Sequence, residues 1–259
     1  MAAGRVRGRE GTSVALSAGV HLFLAIATIL CYHEVDPPTA THATIPRQTA
    51  TGSAGAEMRR YTATPEQFTA QLDYLQQNDY HVIALSDLVD YLAGRRKELP
   101  PRAVVITVDD GWACAATTIA PELRKRGMPF TLFIYPEIVG RGSHALTWRQ
   151  IESLSGAGAD VESHAWTHPF LTKSQSLERE LAGSMAEIHR HTGKPVRFLS
   201  YPYGDFDDAV AGAAAQYGYE AAVTTRRLPV TPETPPMQLG RYLIHNATTL
   251  EQFKTFLLP

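Results

Sequence analysis

Short apolar runs alternate with amphipathic stretches along most of this chain. Eight runs are short, rich in β-branched and aromatic residues and bounded by turn residues, which marks strands. They cover 28–33, 81–85, 103–108, 130–135, 160–163, 196–201, 220–224 and 239–245. Between them, apolar residues recur at helical spacing near 65–78, 87–96, 116–126, 148–156, 175–192, 207–217 and 249–257. The clearest helix start is Thr64-Pro65-Glu66-Gln67, a capping box with proline at the first helical position, followed by Phe68, Leu72 and Leu75. Strands that alternate with helices predict a parallel α/β arrangement, and a closed or distorted barrel fits better than an open sheet. Residues 36–60 lack periodicity and are rich in Pro, Thr, Ala and Gly, which predicts a surface loop.

The first residues follow another pattern. Arg5, Arg7 and Arg9 precede an apolar run over 14–27 that only Ser17 and His21 interrupt. Ala25-Ile26-Ala27 has the small-x-small form of a signal peptidase site. The run is short for a membrane-spanning helix, which needs about 20 residues. Three readings stand: a cleaved export segment over 1–27, an uncleaved membrane anchor, or a ragged leader before a buried first strand. The first two imply an extracytoplasmic chain, secreted or held in the cell envelope, with 28–259 as one domain.

Composition narrows the picture further. The 259 residues, 44% hydrophobic and 19% charged, suffice to bury a core without disulfides or a structural metal. Lys and Arg number 24 against 26 Asp and Glu, a net charge of −2, so no basic excess argues for a nucleic-acid partner. Cys31 and Cys114 allow one bridge or none.

In parallel α/β folds, sites gather at the carboxyl ends of strands. The strand AVVITV ends in Asp109-Asp110-Gly111. Strand side chains alternate, so two adjacent carboxylates point in different directions; one can bind a metal while its neighbour acts as a base. Gly111 lets the backbone turn sharply. The next site-bearing strand end runs into His164-Ala165-Trp166-Thr167-His168, two histidines four apart that share a face if this segment is a helical turn. Two histidines and one aspartate from separate strand ends form a three-ligand, open metal site. A third strand end carries Tyr201-Pro202-Tyr203-Gly204, a rigid turn whose amides can face a substrate.

In this order and spacing, ITVDDG, SHAWTH and SYPYG resemble the first three motifs of the polysaccharide deacetylases, the NodB-homology domains of carbohydrate esterase family 4. The resemblance is strongest over 103–225. The segment Cys31-Tyr32-His33-Glu34-Val35 and the stretch from Thr64 to Leu85 are similar to the poly-β-1,6-N-acetylglucosamine N-deacetylase branch. The resemblance implies a distorted (β/α) barrel and a divalent metal, Zn2+ first, with Co2+, Ni2+ or Fe2+ as alternatives. It implies a hydrolase that removes acetyl groups from N-acetylglucosamine units of a cell-surface or extracellular polysaccharide, with peptidoglycan or chitin as alternative substrates. A carbohydrate-binding protein on an inactive scaffold is the reading from another class.

By position, Asp109 resembles the catalytic base, and Asp110, His164 and His168 the metal ligands. Tyr203 resembles the residue whose backbone N–H binds the oxyanion, and Pro202 and Tyr203 wall the sugar site. Trp166 and Trp148 are candidate sugar-stacking surfaces. Two general acids are implied: His33 from the YHxV segment of the poly-N-acetylglucosamine branch, which is favoured, and His245 from Leu243-Ile244-His245. One departure concerns Ser200, which stands where the family carries an arginine that orients the base; Arg241 in the last strand is the candidate substitute. The family's fourth motif has no clear counterpart.

Overall fold

The computed structural model describes residues 25–36 and 61–258. Most of the export-segment reading (1–27) and of the loop reading (36–60) lies outside them. Ala27 is described: it opens the first strand, is fully buried and pairs with Ala103.

The chain-order elements follow the predicted alternation. Strand β1 (Ala27–Tyr32) is followed by β2 (Glu34–Val35), β3 (Thr62–Ala63), helix α1 (Pro65–Gln77), β4 (His81–Ile83) and α2 (Leu85–Leu92). Then come β5 (Ala103–Val108), α3 (Ala120–Lys125), β6 (Thr131–Ile134), α4 (Trp148–Gly156) and β7 (Asp160–Ser163). The remainder is α5 (Ser184–Thr192), β8 (Phe198–Ser200), α6 (Asp208–Gln216), β9 (Ala221–Val223), β10 (Tyr242–Leu243) and α7 (Leu250–Lys254). The capping box forms as predicted: the Thr64 hydroxyl accepts from the Gln67 N–H, and the Gln67 side chain accepts from the Thr64 N–H. The short β2–β3 pair was not legible in the sequence, because two-residue strands carry no periodicity.

All eight strands of the main sheet run parallel, in the order β10-β1-β5-β6-β7-β8-β9. Strand β5 is shared: β1 lies along one side, while β4 takes the first half of the other side and β6 the second. The last turn of chain closes the curl. Leu239 bonds to β9 through Leu239 N–H to Ala222 O (3.0 Å) and Thr224 N–H to Leu239 O (2.8 Å). A few residues on, Tyr242 and Leu243 pair with Leu30 and Cys31 of β1.

Side-chain alternation divides the core in two. Ala27 and Ile29, Ala103 and Val105, Phe133, Phe198, Val223 and Leu239 pack inside the barrel. Leu30 and Tyr32, Val104, Ile106 and Val108, Leu132 and Ile134 point outward, onto Phe68, Leu72, Leu75, Leu123, Ile151 and Ile188 from the helical layer. Strands buried on both faces read as continuous apolar runs, which is why they stood out in the sequence.

One acid sits inside this barrel. Glu162 is fully buried beside Phe133, and one of its carboxylate oxygens accepts from the Arg197 and Phe198 N–H groups, both at 2.7 Å. Burial, followed by the nearby Asp160 charge, pushes its carboxyl well above the usual range. A raised folded-state pKa means that the fold prefers the protonated form, so stability falls as pH rises from the unfolded pKa through the folded one. Glu162→Gln keeps an acceptor for both N–H groups without the charge. It is expected to raise the Tm at neutral pH and to leave it nearly unchanged in acid. A thermal-unfolding series against pH checks this; a lower Tm at neutral pH would contradict the assignment.

Candidate active site

The interior-facing residues of β5 lead upward from Ala103 through Val105 and Thr107 to Asp109 at the barrel mouth. Asp109 is nearly fully buried and receives a two-pronged contact from Arg241, with Nη1 to Oδ1 and Nη2 to Oδ2 each 2.8 Å. Arg241, itself 1% exposed, is held from several sides. Its Nε donates to the Thr224 carbonyl (3.0 Å), Nη1 to Thr107 Oγ1 (3.1 Å) and Nη2 to Ser200 Oγ (2.9 Å). The Ser200 hydroxyl in turn donates a hydrogen bond to Asp109 Oδ2 (3.0 Å). The arginine predicted as a substitute therefore reaches the carboxylate directly, and the serine completes the contact. Burial alone would push the Asp109 carboxyl up; the Arg241 guanidinium, then His164 and His33, overcome it and hold the group well below the usual carboxylate range.

Asp110 lies just beyond the end of β5, and both carboxylates approach His164 Nε2, Asp109 Oδ2 at 3.8 Å and Asp110 Oδ1 at 3.6 Å. The Asp110 backbone is left-handed (φ 79°) and Gly111 continues the turn (φ 83°). A Cβ on Gly111 would also come within 3.1 Å of Ile134 Cγ2, so glycine is needed on two counts. Asp110 Oδ2 accepts from Trp112 Nε1 (3.0 Å), and Oδ1 lies 3.6 Å from His164 Nε2 and 3.4 Å from His168 Nε2. The His164 and His168 rings meet edge to face, with centroids 4.6 Å apart.

The histidine pair is not on a helical turn, contrary to expectation. Residues 164–168 form an irregular loop after β7, with left-handed backbone at Ala165 (φ 61°) and His168 (φ 59°). Those two reversals bring the imidazoles together. His164 Nδ1 lies 2.7 Å from the Ser200 carbonyl, a contact that requires Nδ1 to carry a proton and turns Nε2 towards Asp110. Two imidazole nitrogens and a carboxylate oxygen lie within 4.8 Å of one another, a donor set that suits zinc and the other borderline divalent metals.

The Pro202–Gly204 turn follows β8, with Tyr203 left-handed (φ 60°) and Pro202 buried. The Tyr203 ring is 37% exposed and meets His168 edge to face (4.6 Å). On Tyr203 stacks Phe170 (4.3 Å), the most exposed aromatic residue among those described, which the sequence reading did not single out. Asp205 ties the two loops: its carboxylate accepts from Thr172 N–H (2.8 Å) and Thr172 Oγ1. Trp166 and Trp148 make other contacts. Trp166 packs beside Gly183 beneath the Arg179 guanidinium, and Trp148 stacks on His191 at 3.8 Å.

The two candidate acids lie close together. The β1–β10 register pairs Leu30 with Tyr242 and Cys31 with Leu243; continued by two residues, it sets His33 beside His245. Tyr61 packs between them, 4.9 Å from the His33 ring and 5.0 Å from that of His245. His33 also groups with Cys31 and Asp109, their donor atoms within 4.8 Å of one another. Both cysteines are free; Cys114 Sγ accepts the Val35 N–H (3.5 Å).

Fold and cluster together define a class: a distorted (β/α) barrel of the NodB-homology type, with acids and imidazoles at the carboxyl ends of its strands. The family model for polysaccharide deacetylase matches residues 96–222, so this stretch carries a polysaccharide deacetylase domain. It is 27% identical to the Bacillus subtilis (strain 168) protein YxkH over 182 residues, 70% of this chain; the match spans 63% of the length of that relative. It is 26% identical to the poly-β-1,6-N-acetyl-D-glucosamine N-deacetylase of Staphylococcus epidermidis over 211 residues, 75% of this chain and 72% of that one. Among solved structures, IcaB from Ammonifex degensii superposes with a TM-score of 0.71 at 26% identity, covering 89% of this chain and 94% of that one.

Proposed function

We propose that the protein is a metal-dependent polysaccharide N-deacetylase, acting on N-acetylglucosamine units of a cell-surface or extracellular glycan, with poly-β-1,6-N-acetylglucosamine as the favoured substrate. One observation carries the reading. Asp109 stands beside the Asp110–His164–His168 group yet is committed to Arg241 rather than to the histidines. Its Oδ2 is 2.8 Å from Arg241 and 3.8 Å from His164. This supports reading one of the two adjacent carboxylates as the base and the other as a ligand. The likeness to the Staphylococcus epidermidis enzyme supports the substrate, and the N-terminal export pattern supports an extracytoplasmic place of action. Among the described residues no helix is long and apolar enough to cross a membrane.

A divalent cation, when held by Asp110, His164 and His168, supplies Lewis acidity towards water and the acetamide carbonyl. The protein's own groups account for the proton traffic. Asp109, kept ionised by Arg241, takes the proton of the attacking water. The Tyr203 backbone N–H is the donor assigned to the developing oxyanion; a preformed donor of this kind is worth about 3 kcal/mol. The His33 imidazolium then protonates the departing amine. His33 is favoured over His245 because it is the histidine grouped with Asp109. Pro202 and Tyr203 form the wall against which the sugar lies.

Purified protein assayed for acetate release on poly-β-1,6-N-acetylglucosamine, chitin oligomers and peptidoglycan is expected to act on the first, and to stop after chelation until Zn2+ is restored. Release on none of them would overturn the activity, and release insensitive to chelator would overturn the metal. The acid is tested separately. His33→Ala should lower kcat by about 10²–10⁴-fold, whereas His245→Ala should stay within about tenfold of the parent. The reverse order would assign the proton to His245.

A further inference from the structure

The loop between the two candidate histidine ligands is clamped by a carboxylate that no catalytic role has claimed. Glu180 lies in a π-helical turn (Glu178–Gly183) that leads into α5, and its side chain is nearly buried (6% exposed). Its Oε2 accepts from the Trp166 N–H (3.0 Å) and the Thr167 N–H (2.8 Å), and its Oε1 accepts from Thr167 Oγ1 (2.9 Å). The remaining N–H between the histidines, that of Ala165, is taken by Ser163 Oγ (3.2 Å), which is in turn hydrogen-bonded to Ser184 Oγ of α5 (2.9 Å). The Trp166 carbonyl accepts from the Glu137 N–H (3.1 Å). Trp166 closes the contact sideways: a Cβ on Gly183 would sit 3.4 Å from its ring.

This density of contacts has a reason. The loop holds alanine and histidine in left-handed backbone, and such conformations persist only where the surroundings over-determine them. Turns of the π type are rare and recur at functional sites, because the extra residue re-aims a side chain. Here the π turn aims Glu180 at the loop backbone. A carboxylate accepting backbone N–H groups makes charge-assisted bonds, stronger than neutral ones.

We infer that Glu180 is a positioning residue that presets the separation of the His164 and His168 imidazoles before metal binds. The inference rests on the metal-site reading above. Outer partners that orient metal ligands typically contribute about 10–100-fold to metal affinity.

The test uses the full chain with Zn2+ and Co2+. Glu180→Ala removes the acceptor; Glu180→Gln retains a carbonyl for the two N–H groups and an amide facing Thr167. Zn2+ affinity is measured by competition with a chromophoric chelator, and ligand geometry by the visible spectrum of the Co2+ form. The metal-free Tm is followed in parallel. Glu180→Ala is expected to weaken Zn2+ binding about 10–100-fold and to change the Co2+ spectrum, with Glu180→Gln recovering most of both. Zn2+ affinity within about twofold of the parent and an unchanged Co2+ spectrum in Glu180→Ala would overturn the inference, whatever the Tm does. If Glu180→Ala does not fold, Thr167→Val cuts a single arm of the clamp. A severalfold loss of affinity at constant metal-free Tm then upholds the inference, and an unchanged affinity overturns it. A parent protein that binds no Zn2+ at all overturns the metal-site reading itself, a result separable from any behaviour of the variants.

Discussion

Asp109→Asn is expected to lower kcat by about 10²–10⁴-fold while the Zn2+ content of the protein stays that of the parent. The side chain keeps its shape, and its amide oxygen can still accept from Arg241 Nη2 and Ser200, while its NH2 takes the place of the acceptor that faced Arg241 Nη1; what is lost is the ability to take a proton from water. The geometry adds a second expectation. Arg241 is 1% exposed and Asp109 is its only carboxylate partner among the described residues within salt-bridge distance. Neutralising the aspartate leaves a buried guanidinium without a counter-charge, so the variant also loses stability. Activity must therefore be compared well below the variant's Tm, with metal content determined on the same preparation. A rate near that of the parent would remove Asp109 from the chemistry, and loss of bound metal would move it into the ligand set.

The larger effect on stability is expected at the other end of the pair. Arg241→Met strands a buried carboxylate, and breaking a buried pair from one side costs about 3–5 kcal/mol. The linkage has a definite sign. Arg241 is the strongest of the influences that hold the Asp109 carboxyl down against its burial, so without it the folded-state pKa climbs. The stability contributed by a depressed carboxyl is present above the unfolded pKa and lost as pH falls through the folded one; in Arg241→Met that contribution disappears at neutral pH as well. The acid limb of the kcat–pH profile should move to higher pH. Arg241→Lys should recover only part of the loss, because a single ammonium cannot reach both carboxylate oxygens as the guanidinium does. The double variant Asp109→Asn/Arg241→Met removes both charges and should be more stable than Arg241→Met alone while remaining inactive. Denaturant unfolding of the four proteins forms a closed cycle, and simple additivity across it would refute the coupling.

The sequence disclosed the site unevenly, and the reasons are physical. The parallel strands were legible because both of their faces are buried, so each is a continuous apolar run. The Asp109-Asp110-Gly111 turn was legible because its chemistry is local: two adjacent carboxylates follow a strand end and glycine permits the reversal. The histidines were legible as a pair but not in their geometry. Spacing by four suggested a helical turn, whereas left-handed Ala165 and His168 do the work, and neither residue advertises that conformation. Glu180 left no signal, because nothing in a lone glutamate within an amphipathic run reveals a π turn.

Arg241 lies 132 residues from the carboxylate it holds, and only its place in the last strand hinted at the contact. The two competing acids could not be separated by motif alone. His33 and His245 extend neighbouring strands to the same height, so either motif delivers an imidazole to the same rim. The β2–β3 pair that places Tyr61 between them is too short to read from sequence.

Strand β10 lies directly against β1, so the first and last strands of the barrel are next-door neighbours. Circular permutation is therefore topologically cheap in this architecture. Parallel neighbours need a crossover of about a dozen residues between them, and the residues after β10 already make that return: the Phe256 carbonyl accepts from Thr28 Oγ1 (3.1 Å) at the start of β1. Cutting the chain elsewhere on the rim would then rebuild the same mouth from a different gene order. The proton donor could thus pass from one end of a coding sequence to the other over evolutionary time while hardly moving in space.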